Sequence, residues 1–484
     1  MPKVLICNTY FYQFDRKQWE NQTPYPPLGT LYAASLLESE GYEVKFFDNN
    51  LVDDSKAIAT TLAEFDPDYL VIYDDGFNYL TKMCLTVMRE ACFEMLSLIK
   101  NTQTKALVSS SDSTDHNEMY INKGADVVLL GEAEESLIES LSAFESHSSL
   151  EKCKGIAYKT SADKVVANPR RPVLRDLDKL PAPNWNMVEV EAYRSVWKNA
   201  HQEFSLNIAT TRGCPYKCNW CAKPIYGNRY NAHSPEYIVN IIEKLYHQYG
   251  VSRFWMCDDI FGLKPGWVQK FGELLQERNL KISYYIQSRV DLLLKEDTID
   301  VLAKTGLEEV WLGAESGAQE ILDAMDKGTK IEDIYTATKL LKQRGVKVAF
   351  FLQFGYLGET KAHIKKTIDM VKQLLPDNIG ISVSYPLPGT KFYDKVKEDL
   401  KLKANWKDSD DLDMMFTGTY EADYYKKLQR YVHKVFRKHQ GLDQLKKAFQ
   451  QPTHLDGNQL KSITKLLYYI PSSYYDKMTS FRDL

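Results

Sequence analysis

Short apolar runs alternate with amphipathic stretches along the first 146 residues. Val4-Leu5-Ile6 is followed by a helical pattern from Leu28-Gly29 to Ser39, which Gly41 closes. Glu43-Val44-Lys45-Phe46-Phe47-Asp48 alternates with period two, as a half-buried strand does. The unit then repeats: helix 55–65, strand 69–73, helix 82–100, strand 106–108, helix 116–123, strand 126–130 and a helix from Glu134. Five short strands alternating with helices predict an α/β domain with a parallel, doubly wound sheet. Such sheets take ligands beyond the carboxyl ends of their strands, where the strand order switches. The loops at those ends are 8–27, 74–80, 109–115 and 131–134. The first is long and aromatic, which suits a lid or a pocket wall.

Residues 147–198 read as a connector. Lys154-Gly155-Ile156-Ala157-Tyr158 and Lys164-Val165-Val166 form a hairpin pattern, and Pro169-Arg170-Arg171-Pro172 and Leu180-Pro181-Ala182-Pro183 are extended and turn-rich. From residue 199 the alternation restarts with longer units. Strands are expected at 205–210, 253–256, 281–286, 309–312, 346–352 and 379–384, with helices near 235–249, 265–278, 295–304, 331–344 and 359–374. Ser234-Pro235-Glu236 is an N-cap with proline in the first turn, and Gly250, Gly306 and Gly345 close elements. Six strand–helix units over 199–395 predict a partial (β/α)6 version of the eightfold barrel, whose chemistry sits on the loops after the strands. Residues 396–484 are polar, then helical from 423 to about 438. The aromatic stretches Leu466-Leu467-Tyr468-Tyr469-Ile470 and Tyr474-Tyr475 are expected to cover the open side of the barrel.

A chain of 484 residues has room for two or three domains, each with its own core. With 44% hydrophobic and 26% charged residues and a net charge of −4, there is no electrostatic case for nucleic acid or an anionic membrane. The start of the chain shows no secretory pattern, and no apolar run approaches the roughly 18 residues a bilayer span needs. Eight cysteines in so long a chain are no disulfide framework, and a cytoplasmic location is expected.

Three of those cysteines stand together in Cys214-Pro215-Tyr216-Lys217-Cys218-Asn219-Trp220-Cys221, directly after the first barrel strand. Thiolates so spaced can converge on one soft-metal centre, and they select iron–sulfur clusters, zinc or copper. Zinc and an ordinary four-iron cluster both want four protein ligands, so three leave one metal corner open. Cys7, Cys84, Cys92, Cys153 and Cys257 are scattered and complete no zinc tetrad. The triplet, with an aromatic before its last cysteine, resembles the signature of the radical S-adenosylmethionine enzymes. The resemblance implies a [4Fe-4S] cluster on Cys214, Cys218 and Cys221. Its open iron would chelate S-adenosylmethionine and cleave it to a 5′-deoxyadenosyl radical, with an external electron donor supplying the electron. The plainer alternative is a buried or zinc-binding cysteine loop.

The other strand ends match the same family in order, over residues 200–395. Cys257-Asp258-Asp259-Ile260-Phe261 follows strand two, where the family's backbone takes the methionyl amino group. Gln287-Ser288-Arg289 ends strand three, and Gly313-Ala314-Glu315-Ser316-Gly317 ends strand four, placing Glu315 toward the ribose hydroxyls. Lys327 lies where the family keeps a cation for the methionyl carboxylate. Gln353 and Gly355-Tyr356-Leu357-Gly358-Glu359 end strand five, the latter without the family's usual proline. Tyr385-Pro386-Leu387-Pro388-Gly389-Thr390 ends strand six and walls off the adenine, with Pro386 in the site.

The first half resembles the flavodoxin-like, cobalamin-binding domain that precedes the barrel in a large subfamily. The resemblance rests on Pro26-Pro27-Leu28-Gly29, on Gly131-Glu132-Ala133-Glu134 and on domain order. Two features depart from the pattern. The Asp-x-His-x-x-Gly motif is absent, with no histidine before His116, and Ser109-Ser110-Ser111-Asp112 replaces a Gly-Gly turn. Cobalamin is therefore expected without a histidine ligand. Its lower face would lie near Asp74, Asp75, Asn78 or Tyr79 (or a water), and its tail near Ser109, Ser110, Ser111, Gly131 and Glu132. The alternative is a degenerate sheet that serves packing or another nucleotide.

The implied activity is cobalamin-dependent methylation of an unactivated carbon in a small-molecule substrate. Radical cyclisation or rearrangement without methyl transfer, as in relatives resembling the anaerobic porphyrin-ester cyclases, is the alternative within the class. A tRNA methylthiolating enzyme fits less well, since the first half lacks a second cysteine triplet and no basic tail is visible. An iron–sulfur sensor or zinc-stabilised scaffold is the reading outside enzymology.

Overall fold

The computed structural model describes every residue of the chain except 79–84, 202, 222, 224, 401–405, 408–411, 413 and 451–456. Tyr79, Leu80, Cys84 and the expected helix start at residue 82 thus lie outside the described residues. The chain forms two compact units. One comprises residues 1–215, 222–286 and 405–411, and the other residues 216–221, 287–404 and 412–484.

The first unit begins with strands β1 (Lys3–Cys7), β2 (Glu43–Phe47), β3 (Tyr69–Tyr73), β4 (Lys105–Ser109) and β5 (Val127–Leu129), all paired in parallel. The sheet order is β2-β1-β3-β4-β5, continued beyond β5 by two more strands, β6 (Ile156–Lys159) and β7 (Val165–Ala167). Burial explains the order. β3 is buried along its whole length and β1 along all but its first residue, so their apolar runs are continuous, whereas β2 exposes Glu43 and Lys45 as an edge strand. The order reverses between β1 and β3, the switch point of a doubly wound sheet. The hairpin expected in the connector joins this sheet: β6 (Ile156–Lys159) and β7 (Val165–Ala167) add two antiparallel strands beside β5. The helix expected over 116–123 is Asn117–Asn122, and a further short helix, Ser111–Asp115, precedes it, started by a capping box of Ser110 and Ser113.

The barrel strands are β8 (Leu206–Ile208), β11 (Arg253–Met256), β12 (Ser283–Ser288), β13 (Leu307–Glu315), β14 (Lys347–Phe354) and β15 (Asn378–Val383). Their sheet runs β15-β14-β13-β12-β11-β8, in chain order, as a partial barrel requires. β11 pairs in parallel with β8 and β12 in the first unit, and β14 with β13 and β15 in the second. A two-stranded ladder, β9 (Thr211–Arg212) with β10 (Asn231–Ala232), closes the base of the loop that carries the cysteines.

The last helices are Ala422–Gln450, Gly457–Thr464 and Leu466–Ser480. The first outruns its expected end, and its Tyr425, Leu428, Tyr431, Val432 and Val435 are buried. The aromatic stretch after 465 does not act as the expected cover: Leu467, Tyr474 and Tyr475 are 85%, 65% and 68% exposed. Among the described residues no helix is long and apolar enough to cross a membrane.

Candidate functional site

The first unit locks the entrance to the cysteine loop. Asp258, buried after β11, accepts hydrogen bonds from the Thr210 and Thr211 backbone N–H groups at 2.7 and 2.6 Å, and from their hydroxyls at 2.7 and 3.0 Å. Burial raises its carboxyl to about 7 against the pull of those donors. Arg212 follows, and its guanidinium meets Glu132 at 2.7 Å and Glu134 at 2.8 Å. All three side chains are almost fully buried. The rings of Tyr32, Phe77 and Tyr226 surround the cation, with centroids 5.7, 5.5 and 5.2 Å away. Burial pushes Glu132 up to about 6 despite Arg212, with Glu134 adding to the rise. Gly213 then turns the chain with φ +77°, and a Cβ there would stand 2.3 Å from the Arg229 carbonyl oxygen. Cys214 comes next.

Cys218 and Cys221 belong to the second unit, where the residue between them and its neighbours make the anchor. Asn219 donates from its backbone to Met325 O at 3.0 Å and from its amide to Ala324 O at 2.7 Å. Its Oδ1 accepts from the Tyr356 hydroxyl at 2.7 Å, and its carbonyl accepts from Phe392 N at 2.9 Å. Tyr216 lies under the Arg289 guanidinium, 3.8 Å from ring centroid to cation. Arg289 also donates to Asp291 at 2.8 Å and to the Lys327 carbonyl at 2.8 Å. The three triplet cysteines form no disulfide and are partly exposed, whereas Cys7, Cys92, Cys153 and Cys257 are buried.

Glu315 and Lys327 meet at the end of β13. The Lys327 ammonium donates to Glu315 Oε1 at 2.8 Å, and both residues are buried. Burial opposes the charge on Lys327, but Glu315 and then the Cys218 thiol outweigh it and hold the pKa above its ordinary value. Glu315 stands at φ +56°, where a register shift breaks the β13–β14 ladder. A non-glycine residue held there costs of order 1–3 kcal/mol. Gly313 is required for a different reason: a Cβ would come within 2.7 Å of the Lys327 ammonium and 2.9 Å of Glu315 Oε1.

Two buried acceptors stand near these strand ends without a protein partner. Gln353 donates to the Ser384 hydroxyl at 3.1 Å, which leaves its Oε1 unsatisfied, and Thr329 Oγ1 is likewise unpaired. Buried orphans of this kind mark positions where a ligand can supply the missing bond. Ser288, Cys257 and Pro386 are also buried at strand ends, while Asp259 is exposed. The donors and acceptors of the second unit therefore suit a ligand with an amino-acid end and hydroxyls. Among the described residues no three His, Cys, Asp or Glu are grouped to hold one metal ion. A four-iron cube takes each cysteine on a different iron, so its thiols stand farther apart than the ligands of a single ion.

At the switch point of the first sheet, Asp74 accepts from Thr9 N at 2.7 Å and from its hydroxyl at 2.5 Å, joining the loops after β1 and β3. Burial raises Asp74 to about 6. Asp75 accepts from Gly29 N and Phe77 N, both at 3.0 Å, and Asn78 N donates to Asp75 O at 3.1 Å. Ser109, Ser110 and Ser111 are buried, and the Ser110 hydroxyl caps the helix that follows. Gly131 has φ +76° and donates to Thr114 Oγ1 at 3.2 Å. Small side chains at these ends leave the backbone open to a bulky ligand, and the loops after β1 and β3 offer it carboxylates and amides but, in their described residues, no imidazole.

Arg212, Asn219 and Tyr356 were not among the residues singled out from the sequence. A signal existed for the first two, since one lies two residues before Cys214 and the other within the triplet. Tyr356 lies in the motif that ends strand five, but nothing there marks its contact with the triplet, because its partners lie 137 and 32 residues away.

Comparison with known proteins places the chain among relatives. The family model of the radical SAM superfamily matches residues 208–371. An anaerobic magnesium-protoporphyrin IX monomethyl ester cyclase of Rubrivivax gelatinosus is 30% identical, over 78% of this chain and 67% of its own length. An uncharacterised methyltransferase of Pyrococcus horikoshii is 26% identical, over 79% of this chain and 81% of its own. Among solved structures, the cobalamin-dependent S-adenosylmethionine radical enzyme OxsB with aqua-cobalamin bound superposes with a TM-score of 0.74 at 16% identity. That likeness covers 99% of this chain and 72% of OxsB.

Proposed function

Since the chain belongs to the radical SAM superfamily, in its B12-binding subgroup, we propose that it is a cobalamin-dependent methyltransferase acting on an unactivated carbon of a small molecule. The observation that carries the reading is the cysteine loop itself: three accessible thiols at the carboxyl end of the first barrel strand, in a segment locked on both sides. Cys214, Cys218 and Cys221 would hold a four-iron cluster. Lys327, Glu315 and Gln353 would receive S-adenosylmethionine, with Ser288, Arg289, Pro386 and the backbone of Cys257, Asp258 and Asp259 completing the wall. Asp74, Asp75, Asn78, Ser109, Ser110, Ser111, Gly131 and Glu132 would line the corrin and its tail. When bound, these groups supply one-electron chemistry and a methyl carrier.

The chain's own residues do the positioning. Asp258 and Arg212 fix the strand that enters the loop, and Asn219 with Tyr356 fixes its exit. Lys327 and Glu315 keep one positive and one negative charge buried side by side, ready for a zwitterionic ligand. Likeness to the named methyltransferase supports methyl transfer. The 30% identity to a cyclase supports a second reading, ring closure without methyl transfer.

The test is anaerobic reconstitution with iron and sulfide, then reduction in the presence of S-adenosylmethionine. 5′-Deoxyadenosine should form, and Cys214→Ala, Cys218→Ala and Cys221→Ala should each abolish it. A protein that never yields it is a sensor or a scaffold. With a substrate in hand, S-adenosylhomocysteine formed alongside the product marks methyl transfer, and its absence marks cyclisation. Protein loaded with cobalamin and desalted should show a base-off spectrum without an imidazole ligand; an imidazole-ligated signal would refute the corrin placement.

A further inference from the structure

The helix Leu466–Ser480 buries one side against Ala422–Gln450. Leu466 packs at Gly441, where a Cβ would stand 2.7 Å from it, Asp476 pairs with Lys434 at 2.7 Å, and Phe481 stacks on Tyr431 with centroids 4.9 Å apart. Its other side carries Leu467, Tyr468, Ile470, Pro471, Tyr474, Tyr475 and Met478. At 3.6 residues per turn these positions fill one arc of roughly 160° that contains no charged residue. Six of the seven are among the most exposed large apolar side chains of the chain, from 42% at Met478 to 85% at Leu467. A continuous exposed apolar arc on a folded domain marks an interaction surface.

Charge decides what it meets. Residues 422–484 hold twelve Lys and Arg against five Asp and Glu, a net +7, in a chain whose total is −4, so the remaining residues sum to −11. Lys477 sits at the edge of the arc, and Lys438 and Lys372 gather near it: burial and then these two ammonium groups depress Lys438. A second copy of this chain docked through the same face would bring like charge against like. An anionic lipid surface is complementary instead. It accepts leucine, isoleucine and methionine into its acyl boundary, holds tyrosines at the headgroup level, and attracts lysines whose stems lie along apolar surface.

We infer that the outward face of the helix Leu466–Ser480, with its lysine rim, docks the enzyme peripherally on an anionic phospholipid bilayer. The near-neutral balance of the whole chain conceals this segment, which is why total charge excludes such a surface and the local distribution restores it.

Vesicle sedimentation of the full chain tests it. Vesicles of phosphatidylcholine with about one third phosphatidylglycerol should pull the protein down at low salt, and raised salt should release it. Lys477→Gln should weaken binding about fivefold, the worth of one charge near an anionic leaflet. The double variant Leu467→Asp, Tyr475→Asp should stay in solution with an unchanged thermal midpoint, since both side chains point outward. The inference is overturned if the wild type ignores anionic vesicles, or if the double variant binds as tightly as the wild type. Equal binding to pure phosphatidylcholine overturns it too, as does a wild-type dimer that the double variant dissolves.

Discussion

Glu359 offers a sharp test of how the second unit handles buried charge. Its side chain has no solvent exposure, Oε2 accepts from Gly355 N at 2.7 Å, and Oε1 has no partner. One donor is too little to hold a buried carboxylate ionised, so burial raises its pKa from 4.5 to about 8. At neutral pH the folded protein keeps this proton and the unfolded chain releases it. The folded state thus binds more protons between about 4.5 and 8, and stability falls as pH rises through that window, levelling off above it. At about 1.4 kcal/mol per pH unit, the full shift corresponds to a loss of about 5 kcal/mol. Glu359→Gln keeps the shape and the acceptor for Gly355 but cannot ionise. The difference in unfolding free energy between variant and wild type should then climb in the variant's favour from pH 5 toward pH 8. Denaturant titrations at several pH values read that difference. The wild-type-minus-variant infrared difference at pH 7, in which other buried carboxyls such as Asp258 cancel, should show the band of a protonated carboxyl and reads the proton directly. A flat difference curve together with no such band would refute the reasoning.

Two further expectations concern the buried ion pairs. Lys327→Met should destabilise by about 3–5 kcal/mol in denaturant unfolding, because Glu315 is left buried without its ion-pair partner, and adding Glu315→Gln should restore most of the loss. Arg212→Met should cost at least as much, since it uncovers both Glu132 and Glu134, and the loss should shrink in acid as Glu132 takes up its proton.

Local chemistry was legible along the chain and long-range pairing was not. β11 falls on the expected residues, and Pro235–Tyr249 begins at the Ser234 cap and ends at Gly250 in the left-handed region. Those signals lie within a few residues of what they control. The triplet and the strand ends were legible for a similar reason, since spacing and order are properties of sequence. The hairpin's place in the first sheet was not, because periodicity finds a strand without naming its neighbour. Arg212 reaches Glu132 across 80 residues and Asp258 reaches Thr210 across 48, distances at which no pattern in one sequence speaks. The aromatic stretch after 465 shows the same limit from the other side. Its apolar residues were plain, but which of them a neighbouring helix covers is settled only by packing.

The Glu315–Lys327 pair also bears on how the proposed cofactor would bind. Without a ligand each charge neutralises the other, so the desolvation that a zwitterion would otherwise impose on two separate groups is already met by their contact at 2.8 Å. A ligand carboxylate approaching Lys327 need not break that bond, because an ammonium has three donors and Glu315 takes one of them. Glu315 keeps Oε2 for a ribose hydroxyl on the same terms. Its φ of +56° aims the side chain back toward Lys327, and Gly313 leaves room for the two to meet. The backbone strain and the missing Cβ therefore serve one geometry, in which both charges would face the proposed ligand while remaining paired. Gly313→Ala should separate them, so weaker S-adenosylmethionine binding with an intact cluster spectrum is the expected result. Unchanged binding measured by equilibrium dialysis would remove the pair from the cofactor site.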